Sequence, residues 1–154
     1  MELRAPLEFV LDSVHSPGDI ERVETNDLED LQAGSARIRI WNRLPVGGRA
    51  FLVAGSDSAD VLPNSTADVD TVADLQLPVS PIINGRATGE AYIETTVALS
   101  DHMLNLFRTP PFFTRIDLTL PGSEGDTLIA HGTDYVKVQV IADVTYRINT
   151  GGDE

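Results

Sequence analysis

A chain of 154 residues with 42% apolar and 23% charged side chains has the size and make-up of one globular domain, and 24 acidic against 11 basic residues leave it a formal charge of −13. That charge repels phosphate backbones and anionic headgroups, so it argues against nucleic acid and against a lipid surface as partners. The absence of cysteine excludes disulfide scaffolds, thiolate metal sites and cysteine nucleophiles.

No apolar run approaches the ~18–20 residues that span a bilayer, and Met1-Glu-Leu-Arg lacks the apolar core of a signal peptide. The expectation is a protein without direct membrane insertion. It would be periplasmic or envelope-located if a targeting segment has been removed, and cytoplasmic if Met1 is native.

Leu3 to Val14 carries Leu3, Leu7, Phe9 and Leu11 with acids between them and predicts a first strand; His15-Ser-Pro-Gly-Asp19 then predicts a turn. Within Ile20 to Gly34, Thr25 or Asn26 is placed to cap, acids follow in the first turn, and Gly34 stands where a helix would end. This predicts a short helix. Ala36 to Arg43 alternates, with Ala36, Ile38 and Ile40 on one side and Arg37, Arg39, Trp41 and Arg43 on the other. Arginine pairs bidentately with carboxylates and stacks on indole, so the stripe suits an acidic or aromatic partner. The plainer alternative is that neighbouring strands supply Glu8, Asp12 or Asp117 as cross-strand partners.

Leu44-Pro-Val-Gly-Gly48 predicts a turn, and Arg49 to Ala54 a strand in a hairpin with the one before. Residues 55–71 form the longest irregular stretch. Asp57, Asp60, Asp68, Asp70 and Asp74 invite comparison with calcium loops, but Asp68-Val-Asp70 lacks the later ligands and the glycine of an EF-hand. A solvated loop is the simpler expectation. Val72 to Ser80, bounded by Pro78 and Pro81, predicts an edge strand, and Arg86 to Leu99 a long one bent at Gly85 and Gly89. Ser100 caps a second short helix reaching Phe107, with Pro110-Pro111 forbidding continuation and Met103, Leu104 and Phe107 plugging an open end of the sheets. Strands follow at Phe112–Leu120 and Leu128–Ala130.

The last strand, Tyr135 to Ile148, has the strongest period of two in the chain. One face holds Val136, Val138, Val140, Ala142, Val144, Tyr146 and Ile148, and the other is polar except for Ile141. Fourteen residues at about 3.3 Å each span about 46 Å, so a bulge or bend is expected near Ile141-Ala142, unless a partner covers Ile141.

No phosphate-binding loop, dinucleotide fingerprint or His-Glu-x-x-His pair occurs. Ser100, Asp101 and His102 are sequence neighbours, which cannot take up the geometry of a catalytic triad. His131 near Asp134 lacks a second partner for acid–base work. The expectation is therefore no catalytic residue, no metal and no cofactor.

The run Ala36-Arg-Ile-Arg-Ile-Trp-Asn-Arg-Leu-Pro-Val-Gly-Gly48, a strand ending in Asn before a proline turn, resembles the start of the LEA14/WHy-type β-sandwich domains. Asp134 to Ile148 is similar to their closing strand. The chain departs from that pattern by Arg43-Leu44 between Asn42 and Pro45, by the Asp-rich loop and by the helix at residues 100–107. It also resembles uncharacterised β-sandwich modules of bacterial envelope proteins.

Together these readings predict an all-β, immunoglobulin-like β-sandwich of about eight strands with two short helices, formed by residues 1–149 with a flexible tail at 150–154. The functional expectation is a non-catalytic structural or interaction domain, an accessory subunit or module of a bacterial envelope or membrane-associated assembly. It would bind other protein subunits through Arg37, Arg39, Trp41, Arg43 and Ile141, with the Asp57 to Asp74 loop as a second surface. The alternative is a small-molecule or lipid-binding sandwich with a cavity under the helix at 100–107.

Overall fold

The computed structural model describes residues 7–9, 14–24, 31–65 and 69–146. Their elements, in chain order, are β1 (Leu7–Phe9), β2 (Val14–Val23), β3 (Leu31–Asn42), β4 (Gly48–Gly55), β5 (Asp70–Leu77), β6 (Ile82–Ile83), β7 (Arg86–Ala87), β8 (Ala91–Ala98), α1 (Asp101–Arg108), β9 (Phe112–Leu120), β10 (Leu128–Ala130) and β11 (Val136–Tyr146). The chain is mostly β, with three sheets and one helix among the described residues. A four-stranded sheet runs β2-β9-β4-β5, a three-stranded sheet β11-β3-β8, and a small third sheet β1-β10-β7-β6.

The two larger sheets face each other through alternating side chains. Ala36, Ile38 and Ile40 of β3 are buried together with Ala50 and Leu52 of β4, Ala73 and Leu77 of β5. Along one margin the edge strands β5 and β8 approach each other. At one end α1 buries Met103, Leu104, Leu106 and Phe107 against Leu31, Ala54 and Phe112. The Ser100 hydroxyl caps this helix by accepting from Met103 N at 3.1 Å, and Arg108 in its last turn donates to the Leu31 carbonyl, tying the helix end to the start of β3.

Several expectations are corrected. Residues 14–23 form one strand, so His15 to Asp19 is not a turn; β2 instead bulges there, with Pro17 opposite Asp117 and Ile20 opposite Arg115, leaving Gly18 and Asp19 against Ile116 alone. A Cβ at Gly18 would run into the Ile116 carbonyl. Leu31 to Gly34 are strand rather than the end of a helix, because Leu31 has a buried site against α1; residues 25–30 lie outside the described residues. Of the first predicted strand, Leu7–Phe9 form β1 and Val14 opens β2; the rest lies outside the described residues. The tail at 150–154 lies outside the described residues.

The strands β3 and β4 do not form a hairpin but belong to opposite sheets. Asn42 makes this corner. It is fully buried, donates from Nδ2 to the Val46 and Pro78 carbonyls at 2.8 Å each, and accepts the Leu44 N–H on Oδ1 at 2.8 Å. Ser80, also buried, donates to the Asn42 carbonyl at 2.7 Å. An amide side chain with two donors and an acceptor replaces the ladder bonds that the chain gives up in crossing between sheets.

The predicted long strand from Arg86 is broken into β7 and β8. β6 and β7 instead make a tight hairpin through Asn84 (φ 50°) and Gly85 (φ 75°), both left-handed as a two-residue turn of this type requires. Gly85 O accepts from Ile129 N at 2.8 Å, docking the hairpin on β10. Finally, β11 pairs with β3 without interruption from Val136 to Thr145. Its register shift falls between Thr145 and Tyr146, not at Ile141-Ala142, and over its described length β11 stays in one sheet.

Candidate binding surfaces

Strand alternation places the stripe of β3 on the outer face of the three-stranded sheet, where register dictates its neighbours. Lys137, Trp41 and Tyr92 form one row, Gln139, Arg39 and Glu94 the next, and Ile141, Arg37 and Thr96 a third. Across the first row the Lys137 ammonium sits 4.8 Å from the Trp41 ring centre, and the Trp41 and Tyr92 rings lie 5.3 Å apart, tilted by 43°. Tyr92 is half exposed, and Ile141 is half-buried in the third row.

Cross-strand partners do engage the arginines, and those described come from β8 and β11. Arg39 Nε donates to Glu94 Oε2 at 2.6 Å and Arg37 Nη2 to Asp143 Oδ2 at 2.8 Å, while Arg43 lies 4.0 Å from Asp134. Asp117, one of the expected partners, is buried on the other sheet. Asp12 and the side chain of Glu8 lie outside what the structure describes. The pairing follows from β8 and β11 flanking β3, an order that no local pattern announces.

The Glu94 carboxyl is held below the ordinary range by the Arg39 hydrogen bond and then by that from Tyr92, whose hydroxyl lies 3.0 Å from Oε2. Desolvation and its bond to Glu94 hold the Tyr92 phenol above its ordinary value. A carboxyl lowered in this way stabilises the fold above its unfolded pKa, and the contribution vanishes as pH falls through the lower folded value. Arg39→Ala is expected to move the Glu94 titration midpoint up toward ordinary carboxylates, read by an NMR pH titration of its side chain. An unmoved midpoint would assign the whole effect to Tyr92.

A second surface lies between the sheets. The apolar face of β11 does point inward, yet Val140 is 40% exposed and Ala142 is exposed, because the margin between β11 and β2 is open. A cleft of about 290 Å³ enters there, walled by Val138, Val140 and Ala142 on one side and by Glu21 and Val23 on the other, and it reaches Met103 and Phe107 of α1. Its cause is local. After the Gly18-Asp19 bulge, β2 offers the interior Val23 but places the charged Glu21, opposite Thr114, where an apolar side chain would fill the space.

The Asp-rich stretch is spent on its own folding. Asp57 Oδ1 accepts Ala59 N at 2.9 Å, and Asp60 Oδ2 accepts Asp57 N at 3.1 Å; Asp74 pairs with Arg49. The loop brings Val61, itself buried, over the outer face of the four-stranded sheet, where its carbonyl accepts from Arg115. Arg115 Nε and Nη2 grip Asp117 at 2.5 and 2.6 Å, both residues being buried. Among the described residues no group of three or more His, Asp or Glu side chains could hold a metal. Asp68 lies outside the described residues.

The Asp134 carboxylate accepts the backbone N–H of His131 at 2.7 Å, capping a turn rather than orienting the imidazole. His102 is exposed on α1. Among the described residues no helix is long and apolar enough to cross a membrane.

What the fold and these surfaces define is a mostly β, sandwich-like protein with one outer face of mixed charged and aromatic side chains and, among the described residues, one open apolar margin. No family model matches the chain, and neither does any curated protein or solved structure.

Proposed function

We propose that this chain is a non-catalytic, immunoglobulin-like β-sandwich that serves as an interaction subunit or module of a larger assembly, such as the envelope assembly expected from its sequence resemblance. The immunoglobulin-like reading is supported by four strands facing three. The interaction reading rests on one observation. Three of the chain's 11 basic residues, Arg37, Arg39 and Lys137, gather with Trp41 and Tyr92 on one outer sheet face, with Arg43 just past the end of β3, in a protein whose formal charge is −13. Aromatic and arginine side chains are the types that anchor protein interfaces, and a nearly neutral face on an acidic body admits acidic partners that the rest of the surface repels.

The double variant Arg39→Glu/Trp41→Ala tests this. Immobilised beside the wild type and exposed to extract of the source cell, it is expected to lose the proteins the wild type retains, with an unchanged circular dichroism spectrum. Retention of the same proteins by both would overturn the assignment.

A second reading, binding of a small apolar molecule or lipid, is favoured by the cleft at the β2–β11 margin. Its volume approaches the lower end of the range for ligand cavities, and Met103 and Phe107 of α1 help line it.

A further inference from the structure

The cleft does not end at Glu21. A second hollow, of about 180 Å³, opens beside the β2 bulge and is lined by Gly18, Asp19, Glu21, Thr114, Arg115 and Ile116. Glu21, Thr114 and Ile116 therefore belong to both spaces. The two differ in chemistry. Apart from the shared Glu21 and Thr114, the larger is walled by apolar side chains, among them Val23, Met103, Phe107 and Val140. The smaller carries two exposed carboxylates, Asp19 and Glu21. Among the described residues its one cation, Arg115, is already engaged by Asp117 and by the Val61 carbonyl.

Resting on the second reading above, we propose that the paired hollows bind a single-chain amphiphile with a cationic head, its tail in the β2–β11 cleft and its head beside Glu21 and Asp19. Facing sheets stand about 10 Å apart, so a slot between them is one aliphatic chain wide. An apolar tail gains by leaving water for the valine and phenylalanine walls. The head is selected by charge: two carboxylates with no free cation beside them among the described residues attract an ammonium group and repel a carboxylate or phosphate.

Calorimetric titration with dodecylamine, dodecanol and dodecanoate, each below its aggregation concentration at pH 7, separates the two parts of the idea. The amine is expected to bind one-to-one and tightest, the alcohol more weakly and dodecanoate weakest. Glu21→Gln is expected to weaken the amine by about five-fold, on the scale of one partly exposed ion pair, and to change the alcohol by less. Glu24→Gln, which removes a charge of β2's neighbourhood that pairs with Arg22, should change neither. Val140→Trp, a change at an exposed wall position, should block all three. Equal binding of the three compounds would overturn the cationic head and leave the apolar cleft standing. No binding by any would overturn both. If Glu24→Gln weakens the amine as much as Glu21→Gln, the preference reflects overall charge and the assigned head site is wrong. Binding that survives Val140→Trp places the tail elsewhere.

Discussion

Replacing Arg115 by methionine is expected to destabilise the protein by about 3–5 kcal/mol, seen as a lower urea midpoint with an unchanged slope. Arg115 and Asp117 are 7% and 6% exposed and lie on the outward side of β9, where the 56–65 loop shuts water out. Removing the guanidinium takes two charge-assisted hydrogen bonds from a buried carboxylate, and frees the Val61 carbonyl that holds the loop down. Replacing both members, Arg115→Met with Asp117→Leu, should recover most of the loss, since an apolar pair of similar volume is often no worse than a buried ion pair. A double variant as unstable as the single one would show that the loop anchor, and not the loss of the Arg115–Asp117 pair, dominates.

Asn42→Ala is the second large change expected, at about 2–4 kcal/mol in the same measurement. The side chain is wholly buried, and its loss strips partners from the Val46 and Pro78 carbonyls and the Leu44 N–H at once. Asn42→Asp should be nearly as harmful, because it keeps the acceptor for Leu44 but turns the two-donor nitrogen into a second anionic oxygen facing carbonyls. A loss below about 1 kcal/mol for the alanine variant would mean that water replaces the amide at the corner.

Period-two alternation made β3, β9 and β11 readable from residues alone, and the cap at Ser100 with its following apolar spacing made α1 readable. Those signals are local and need no knowledge of partners. What stayed hidden was pairing. Nothing within residues 36–54 says that β3 and β4 part to opposite sheets, since the device responsible is one buried amide reaching across to Pro78. The 14–23 segment misled because Pro17-Gly18-Asp19 has the composition of a turn, and a bulge uses the same residues for the same conformational reasons. One sign was present and unused: Asn84-Gly85 between Ile83 and Arg86 is the strongest short hairpin signal there is, and it marks the β6–β7 turn.

The surfaces divide in the same way. Arg37, Arg39, Trp41 and Arg43 were visible as a stripe, but their carboxylate neighbours Glu94 and Asp143 come from strands 55 and 106 residues away. The cleft was foreseeable only as a guess about α1, because it arises from what β2 fails to supply. Asp57 and Asp60 showed charge without showing that their oxygens close the loop on itself.

The bulged β2 also bears on how the molecule behaves in a crowd. An open margin with unfilled apolar space is a hazard, because a foreign strand can add to an exposed edge and bury its own side chains there. The kink at Gly18-Asp19 breaks the straight run of backbone groups that such a strand would need, and the inward charge of Glu21 penalises the side chain it would bring. The same two features that leave the slot unfilled by the described residues thus make this margin a poor template for a neighbouring strand.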